Sequence, residues 1–435
     1  MRIFRYATMT PEEKKEIFGR ARADIEGVRE VVAQLIRDVR ERGDQAIVEQ
    51  VARFDKVELT PDRFRVSDAE IEEAFATVDP VLIDTIKEQI HWSTKFHEAQ
   101  KTDKQWFMEL EKGVIAGQIT RPIPSVAIYV PGGLASYPTT TQILTVPARV
   151  AGVPRICVFT PPKNMVPEII IAAKLAGAHE IYRIGGVAAI AAAAYGTETI
   201  PRVDKIVGPG NVYVQAAKML VYGQVAIDMP AGPSEAIMLA DETARPEWCA
   251  ADILARAEHD PNAAGVLVTH VEELAYATAR EVERQAAVTP RKEIVLESLR
   301  RYSCIIITDS LEESIAVTNE YAPEHLELLV ADPFGILPRI EHAGSVFLGH
   351  YAPVAVGDYA SGVNHTLPTG GWARVFSPIG VDTFQKKIEF EYLTPEGLGR
   401  LKHIVYRISA VEKLPAHADS VKHRFGEYDR LEKSQ

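Results

Sequence analysis

The chain has 435 residues, 46% hydrophobic and 25% charged, with a formal net charge of −12 and an isoelectric point near 5.6. That is the composition of a soluble globular protein, with a length prior of roughly three domains. The acidic balance argues against a nucleic-acid or anionic-membrane partner, since either would favour a basic face.

The N-terminus, MRIFRYATMTPEEKK, has no apolar signal core, and no apolar stretch approaches the roughly 18 residues of a membrane span, so a cytoplasmic protein is expected. Residues 1–120 read as mostly helical. Val28 to Ile36 and Ile47 to Phe54 carry apolar side chains at three- and four-residue steps, with a break at Gly43-Asp44. A further helix is predicted from Pro80 to Phe96.

The pattern changes at Ser125. Short β-rich apolar runs at Ser125–Val130, Arg155–Phe159, Glu180–Ile184, Asp204–Val207 and Val225–Met229 are separated mostly by helical stretches, the spacing that successive βαβ units produce. Pro131-Gly132-Gly133, Gly185-Gly186 and Gly208-Pro209-Gly210 follow three of these runs. Such glycines either make tight strand-to-helix turns or let backbone approach a ligand at the carboxyl edge of a parallel sheet. Three in one sheet favour a binding edge. Further strand-like runs at Ala236–Ala240, Gly265–Thr269, Ser303–Thr308, Leu326–Val330 and Gly344–Leu348 indicate a second α/β layer. From about Phe376 a short mixed piece leads to a helix from Leu398 through Ser409 and then a charged, peripheral tail.

Cys157, Cys249 and Cys304 have no CxxC spacing and read as buried small hydrophobes in a reducing compartment. The chain lacks G-x-G-x-x-G, a P-loop, a G-x-S-x-G elbow and any short-spaced zinc motif, so metal ligands would have to come from distant segments. Four segments carry histidine near potential partners: Glu258-His259, Glu324-His325, Asp358 through His365, and Glu412 through His417. Taken singly, His259, His365 and His417 have ordinary structural explanations. Glu324-His325 differs, because a charged pair abutting the apolar run Leu326–Val330 must find partners or suffer desolvation.

Several ordered motifs combine with these segments: Tyr129-Val130-Pro131-Gly132-Gly133, Gly208-Pro209-Gly210-Asn211, Asp228-Met229-Pro230-Ala231-Gly232-Pro233-Ser234-Glu235, Ala257-Glu258-His259-Asp260, Ala322-Pro323-Glu324-His325-Leu326, Leu393 through Leu398 and Ala416-His417. Together they resemble the histidinol dehydrogenase family over nearly the whole chain. The resemblance implies a zinc-dependent enzyme oxidising L-histidinol through L-histidinal to L-histidine with NAD. It implies an α/β fold of two incomplete Rossmann-like domains with parallel sheets, small N- and C-terminal helical pieces, and an intertwined homodimer. The implied division is an extension at 1–21, one domain from 22–127 and 237–373, an NAD-side domain at 128–236, and a C-terminal piece at 374–435 completing the partner's site.

On the same resemblance, His325 is the general base and Glu324 activates water for the second oxidation. His259, Asp358 and His417 are zinc ligands, with His417 donated by the other subunit. Ser234, His365 and Glu412 hold the substrate, which also touches His259, His325, Asp358 and His417, while Tyr129 and Asn211 face NAD. Two positions depart from the family pattern. Arg256 stands where a glutamine zinc ligand is usual, and a guanidinium has no lone pair to offer a metal. Either it turns away to Glu258 or Asp260, or the metal site is weakened or lost. Ala188 replaces a glutamine that faces NAD, a loss of about 1 kcal/mol.

Two other readings stay open. A paralogue could oxidise another primary alcohol, such as a sulfopropanediol, because an arginine suits a sulfonate or carboxylate, although Glu412 would repel an anion. A catalytically silent binding or scaffold protein is disfavoured by the presence of both Glu324 and His325.

Overall fold

The computed structural model describes residues 1–20, 25–102, 104–132, 136–229 and 232–427. Gly133, Pro230 and Ala231 of the motifs, and the end of the charged tail, lie outside the described residues. The chain forms two compact units, Met1–Lys101 with Pro122–Phe384, and Thr102–Arg121 with Gln385–Gln435.

The strands in chain order are β1 (Arg2–Arg5), β2 (Gln105–Glu111), β3 (Val114–Pro122), β4 (Ser125–Tyr129), β5 (Arg155–Phe159), β6 (Glu180–Tyr182), β7 (Lys205–Val207), β8 (Ala226–Ile227), β9 (Glu235–Ala240), β10 (Ala264–Thr269), β11 (Cys304–Ile307), β12 (His325–Leu329), β13 (Ser345–Leu348) and β14 (Gln385–Leu393). The first unit holds two parallel sheets, ordered β6-β5-β4-β7-β8 and β1-β11-β10-β9-β12-β13. The α/β class with parallel sheets follows from the sequence as expected. Strands β4, β9, β10 and β12 are buried along their whole length, which is why they read as continuous apolar runs.

Helices cover both sheets. Ile25–Arg42 buries Val32, Ile36 and Val39 and packs on Gly186–Tyr195 and Val212–Val221. Pro80–Ala99 packs on Pro138–Ala151, and Pro246–Ala257 covers β9 and β10. In the five-stranded sheet the strand order reverses between β4 and β7, and in the six-stranded sheet between β9 and β12. Reversals of this kind open crevices for ligands.

The mostly helical reading of residues 1–120 needs correction. β1 is an edge strand pairing Arg2 with Cys304 through Arg5 with Ile307, too short and too charged to show a strand pattern. β2 and β3 form an antiparallel hairpin in the second unit, with β14 beside β3, so the C-terminal piece is not purely helical. In that unit Gly113 turns the hairpin at φ +80°, and its carbonyl accepts a bond from Thr394 N–H at 2.9 Å. Thr394 then caps the helix Pro395–Val411 by accepting from Gly397 N–H at 3.0 Å.

At the amino edge of the five-stranded sheet, Arg155 pairs bidentately with Glu180 (Nε to Oε1 2.8 Å, Nη2 to Oε2 3.0 Å) and the Tyr182 hydroxyl donates to Oε2 at 2.6 Å. The Arg155 hydrogen bonds come first in pulling the Glu180 pKa from 4.5 to about 2. A depressed carboxylate stabilises the fold above its unfolded pKa and loses that contribution as pH falls through the folded one. Glu180→Gln is therefore expected to lose about 2 kcal/mol at pH 7 in urea unfolding. The gap to wild type closes as pH drops from 4.5 towards 2. A gap that stays constant with pH would rule the ion pair out as its source.

Candidate active site and dinucleotide cleft

The Glu324-His325 pair stands at the amino end of β12, next to the amino end of β9, because His325 pairs with Ala236 in the ladder. That register brings Ser234 and Glu235 against it. Glu324 Oε2 accepts from Ser234 Oγ at 2.7 Å and from Glu235 N–H at 2.8 Å. His325 Nδ1 lies 3.2 Å from the Glu235 carbonyl and 3.3 Å from Glu324 Oε2. Both neighbours are acceptors, so the proton sits on Nδ1 and Nε2 is the basic atom. Nε2 is buried without a hydrogen-bond partner, 3.7 Å from Asp358 Oδ1.

Asp358 comes from the short helix Val354–Tyr359, and His365 from the loop after it. His365 Nδ1 donates to the Asp358 carbonyl at 3.1 Å, and its Nε2 lies 3.5 Å from Thr140 Oγ1. His259 follows the helix Pro246–Ala257 and remains open to solvent. Its ring still keeps one edge crowded by the site, and that enclosure, followed by the nearby Arg256 charge, pushes its pKa down. Burial alone would raise Glu324 and Asp358, but His325 and Arg256 outweigh it and hold both carboxyls below their ordinary range. Burial and Arg256 lower His325 while Glu324 and Asp358 raise it, with a net rise.

The first unit thus brings together Ser234, Glu324, His325, Asp358 and His365, with His259 beside them. Glu412 and His417 belong to the second unit. Glu412 caps the end of the helix Pro395–Val411, and His417 is exposed on Pro415–Arg424. Ser234 and Glu235 border a cavity of about 620 Å³ that Arg20, Tyr321 and Thr369 also line.

Arg256 does not turn away to Glu258 or Asp260. It is 4% exposed and points inward, with Nη1 donating to Ser234 Oγ at 2.7 Å and Nη2 lying 3.4 Å from Asp358 Oδ2. A dication about 4 Å from a guanidinium is repelled by roughly 8 kcal/mol at an effective dielectric near 20. Among the described residues, no group of three or more His, Cys, Asp or Glu is placed to hold a metal ion. The expected zinc ligand Asp358 is already ion-paired with a permanent cation, so the residues present do not fit zinc.

Sequence reasoning missed Glu235 and Arg20. Glu235 opens the buried strand β9 and pairs with Arg20, Nε to Oε2 3.1 Å, each side chain under 5% exposed. The Arg20 guanidinium also covers the Tyr321 ring at 3.5 Å. Burial lifts Glu235, Arg20 lowers it and Glu324 lifts it again, giving a pKa of about 7. The signal was available: a carboxylate starting an apolar run is the same pattern that singled out Glu324. The three cysteines are buried, and burial leads in pushing their thiols up to about 12, as befits inert packing residues.

At the carboxyl edge of the five-stranded sheet a cleft of about 980 Å³ is lined by Tyr129, Gly132, Lys163, Gly185, Ala188 and Asn211, among others. Tyr129 OH accepts from Gly186 N–H at 3.0 Å, and Asn211 caps the helix Val212–Val221 through bonds at 3.1 and 3.2 Å from Tyr213 and Val214 N–H. A Cβ on Gly132 would strike Asn164 at 2.4 Å, and one on Gly185 would strike Pro161 at 2.4 Å. Both glycines are therefore required by the packing of these turns, and Lys163 gives a cation to a cleft at the carboxyl edge of the sheet, where open α/β sheets bind ligands.

A family model described as histidinol dehydrogenase matches residues 19–425. The chain is 48% identical to the histidinol dehydrogenase of Methanosarcina barkeri over 405 residues, 92% of this chain and 93% of that protein. It is 45% identical to that of Methanocaldococcus jannaschii over 430 residues, 98% and 99% of the two chains. The solved histidinol dehydrogenase of Elizabethkingia anophelis superposes with a TM-score of 0.93 at 40% identity, covering 98% of each chain.

Proposed function

The chain belongs to the histidinol dehydrogenase family, and we propose that it oxidises L-histidinol through L-histidinal to L-histidine with NAD as hydride acceptor. The observation that carries this reading is the unpartnered Nε2 of His325, held basic by the two acceptors on Nδ1. In the first oxidation the substrate hydroxyl gives its proton to Nε2 as the carbon releases hydride. The contacts on Glu324 fall on Oε2, which leaves Oε1 to take a proton from the water that adds to the aldehyde. Once His325 has released its proton and a second NAD has replaced the reduced one, the hydrate gives a proton to Nε2 and a hydride to NAD, and the resulting acid ionises to the carboxylate.

Tyr129 and Asn211 border the cleft that would hold NAD, and its place at the carboxyl edge of a parallel sheet supports that assignment. No step is given to zinc, because Arg256 engages Asp358. In the proposed homodimer, Glu412 and His417 serve the partner's site. Exposed Trp106, Phe107, Met108 and Leu110 on β2, and Ile404, Ile408 and Val411 on the helix Pro395–Val411, support a covered face. No helix among the described residues is long and apolar enough to cross a membrane, and cytoplasmic histidine biosynthesis is the proposed setting.

A second reading has its own observation, the inward turn of Arg256. A guanidinium in the site suits an alcohol bearing a sulfonate or carboxylate. The deciding experiment follows NADH formation with L-histidinol and with 2,3-dihydroxypropane-1-sulfonate, and identifies products by mass spectrometry. Histidine as product is the expected result. Oxidation of the sulfonate alone would transfer the chain to the second reading.

A further inference from the structure

We propose that the Arg256 guanidinium is the resident cation of this site and stands in place of a divalent metal, so that the alcohol is oxidised without a bound metal ion. The inference rests on the dehydrogenase reading. Three observations carry it.

First, the side chain is built into the site. Arg256 ends the helix Pro246–Ala257, is 4% exposed, and bonds Ser234 Oγ at 2.7 Å while facing Asp358 Oδ2 at 3.4 Å. A metal bound to Asp358 would have to displace it and leave an uncompensated buried charge.

Second, the charge on Asp358 is already met. Glu324 and Asp358 bring two carboxylates to the cluster, and the guanidinium neutralises one of them permanently, since it neither deprotonates nor offers a lone pair. The single donor of Ser234 is used as well, since its hydroxyl donates to Glu324 while accepting from Arg256. It has no donor left for a substrate group unless its bond to Glu324 breaks.

Third, the cation stands where the reaction needs one. The two oxygens of Asp358 face His325 Nε2 and Arg256 Nη2, so one carboxylate holds the base and the guanidinium on either side of itself. Arg256 Nε has no hydrogen-bond partner among the described residues. A hydroxyl giving its proton to Nε2 lies in the field of that guanidinium, which stabilises the alkoxide charge that grows on oxygen as the proton leaves, before hydride departure converts it to C=O. The proton goes to His325, the hydride to NAD, and the C=O bond forms, with no metal in the balance.

The test compares wild type, Arg256→Gln and Arg256→Lys, each expressed with added zinc and desalted. Metal content is read by plasma mass spectrometry and zinc affinity by titration against a coloured chelator. Melting curves are run alongside to confirm folding. Wild type is expected to carry substoichiometric zinc and to keep its turnover in EDTA. Arg256→Gln should bind zinc at least about tenfold more tightly. Arg256→Lys, which keeps the charge, should still exclude zinc and lose at least about tenfold in kcat as the forked contact to Ser234 and Asp358 is lost. One tightly held zinc per wild-type chain overturns the proposal, as does a folded Arg256→Gln protein with no gain in affinity. If no alcohol is turned over, the dehydrogenase reading fails, while the metal measurements still decide the place of Arg256.

Discussion

Exchange of His325 for asparagine is expected to lower kcat by about 10²- to 10⁴-fold with little change in KM, the ordinary loss when a positioned general base is removed. The ring is 2% exposed and stacks near Phe347 with centroids 6.0 Å apart. Asparagine keeps a donor for the Glu235 carbonyl, so the fold should survive while Nε2 disappears. Glu324→Gln separates the two oxidations. It leaves Nε2 in place but removes the base proposed to activate water, so NADH yield falls from two equivalents per alcohol towards one and the aldehyde accumulates, trappable with semicarbazide. Retention of more than a tenth of wild-type kcat by His325→Asn would remove that residue from the mechanism. Equal loss of both half-reactions in Glu324→Gln would reduce Glu324 to a positioning residue.

The second large effect is on stability. Lys218→Met is expected to cost about 3–5 kcal/mol, because it leaves a buried carboxylate without its counter-ion. Lys218 and Asp228 form an ion pair with side chains 1% and 2% exposed. Lys218 Nζ donates to the Gly208 carbonyl at 2.8 Å, while Asp228 Oδ2 accepts from Gly208 N–H at 2.6 Å. The pair grips both faces of a residue with φ +125°, where a Cβ would lie 2.1 Å from the Tyr129 carbonyl oxygen. That turn leads into Asn211 and packs on Tyr129, both of which line the proposed NAD cleft, so the KM for NAD should rise with the loss of stability. Lys218→Met/Asp228→Asn should recover part of the loss in urea unfolding. A single-variant cost below about 1 kcal/mol would show that water or another group compensates Asp228.

The central strands were legible because a parallel strand covered on both faces leaves an uninterrupted apolar run, as Glu235–Ala240 and Ala264–Thr269 do. The edges were not. Arg2-Ile-Phe-Arg is too short to show a period, and Gln105–Glu111 is exposed along its length, so no buried face marks it as a strand. Within the site, Glu324 and His325 stood out because their charge abuts a buried run. The direction of Arg256 had no local signal, since its partners lie 22 and 102 residues away and only the fold brings them within reach. Lys218 was a missed clue: a lone lysine in Val-Tyr-Val-Gln-Ala-Ala-Lys-Met-Leu-Val implies a buried counter-charge.

The Glu324-His325 pair sits at the amino edge of the six-stranded sheet, so the connections leaving the carboxyl ends of β9, β10, β11 and β12 lie at the other end of the strands. Insertions or deletions there can be absorbed without moving Glu324 or His325. A one-residue slip within β12 would swap the faces of both. Length variation among relatives should therefore collect after Ala240, Thr269, Ile307 and Leu329, and be rare between Pro323 and Leu329. Chimeras that lengthen the former connections are the natural starting material for fusing new binding segments to this scaffold.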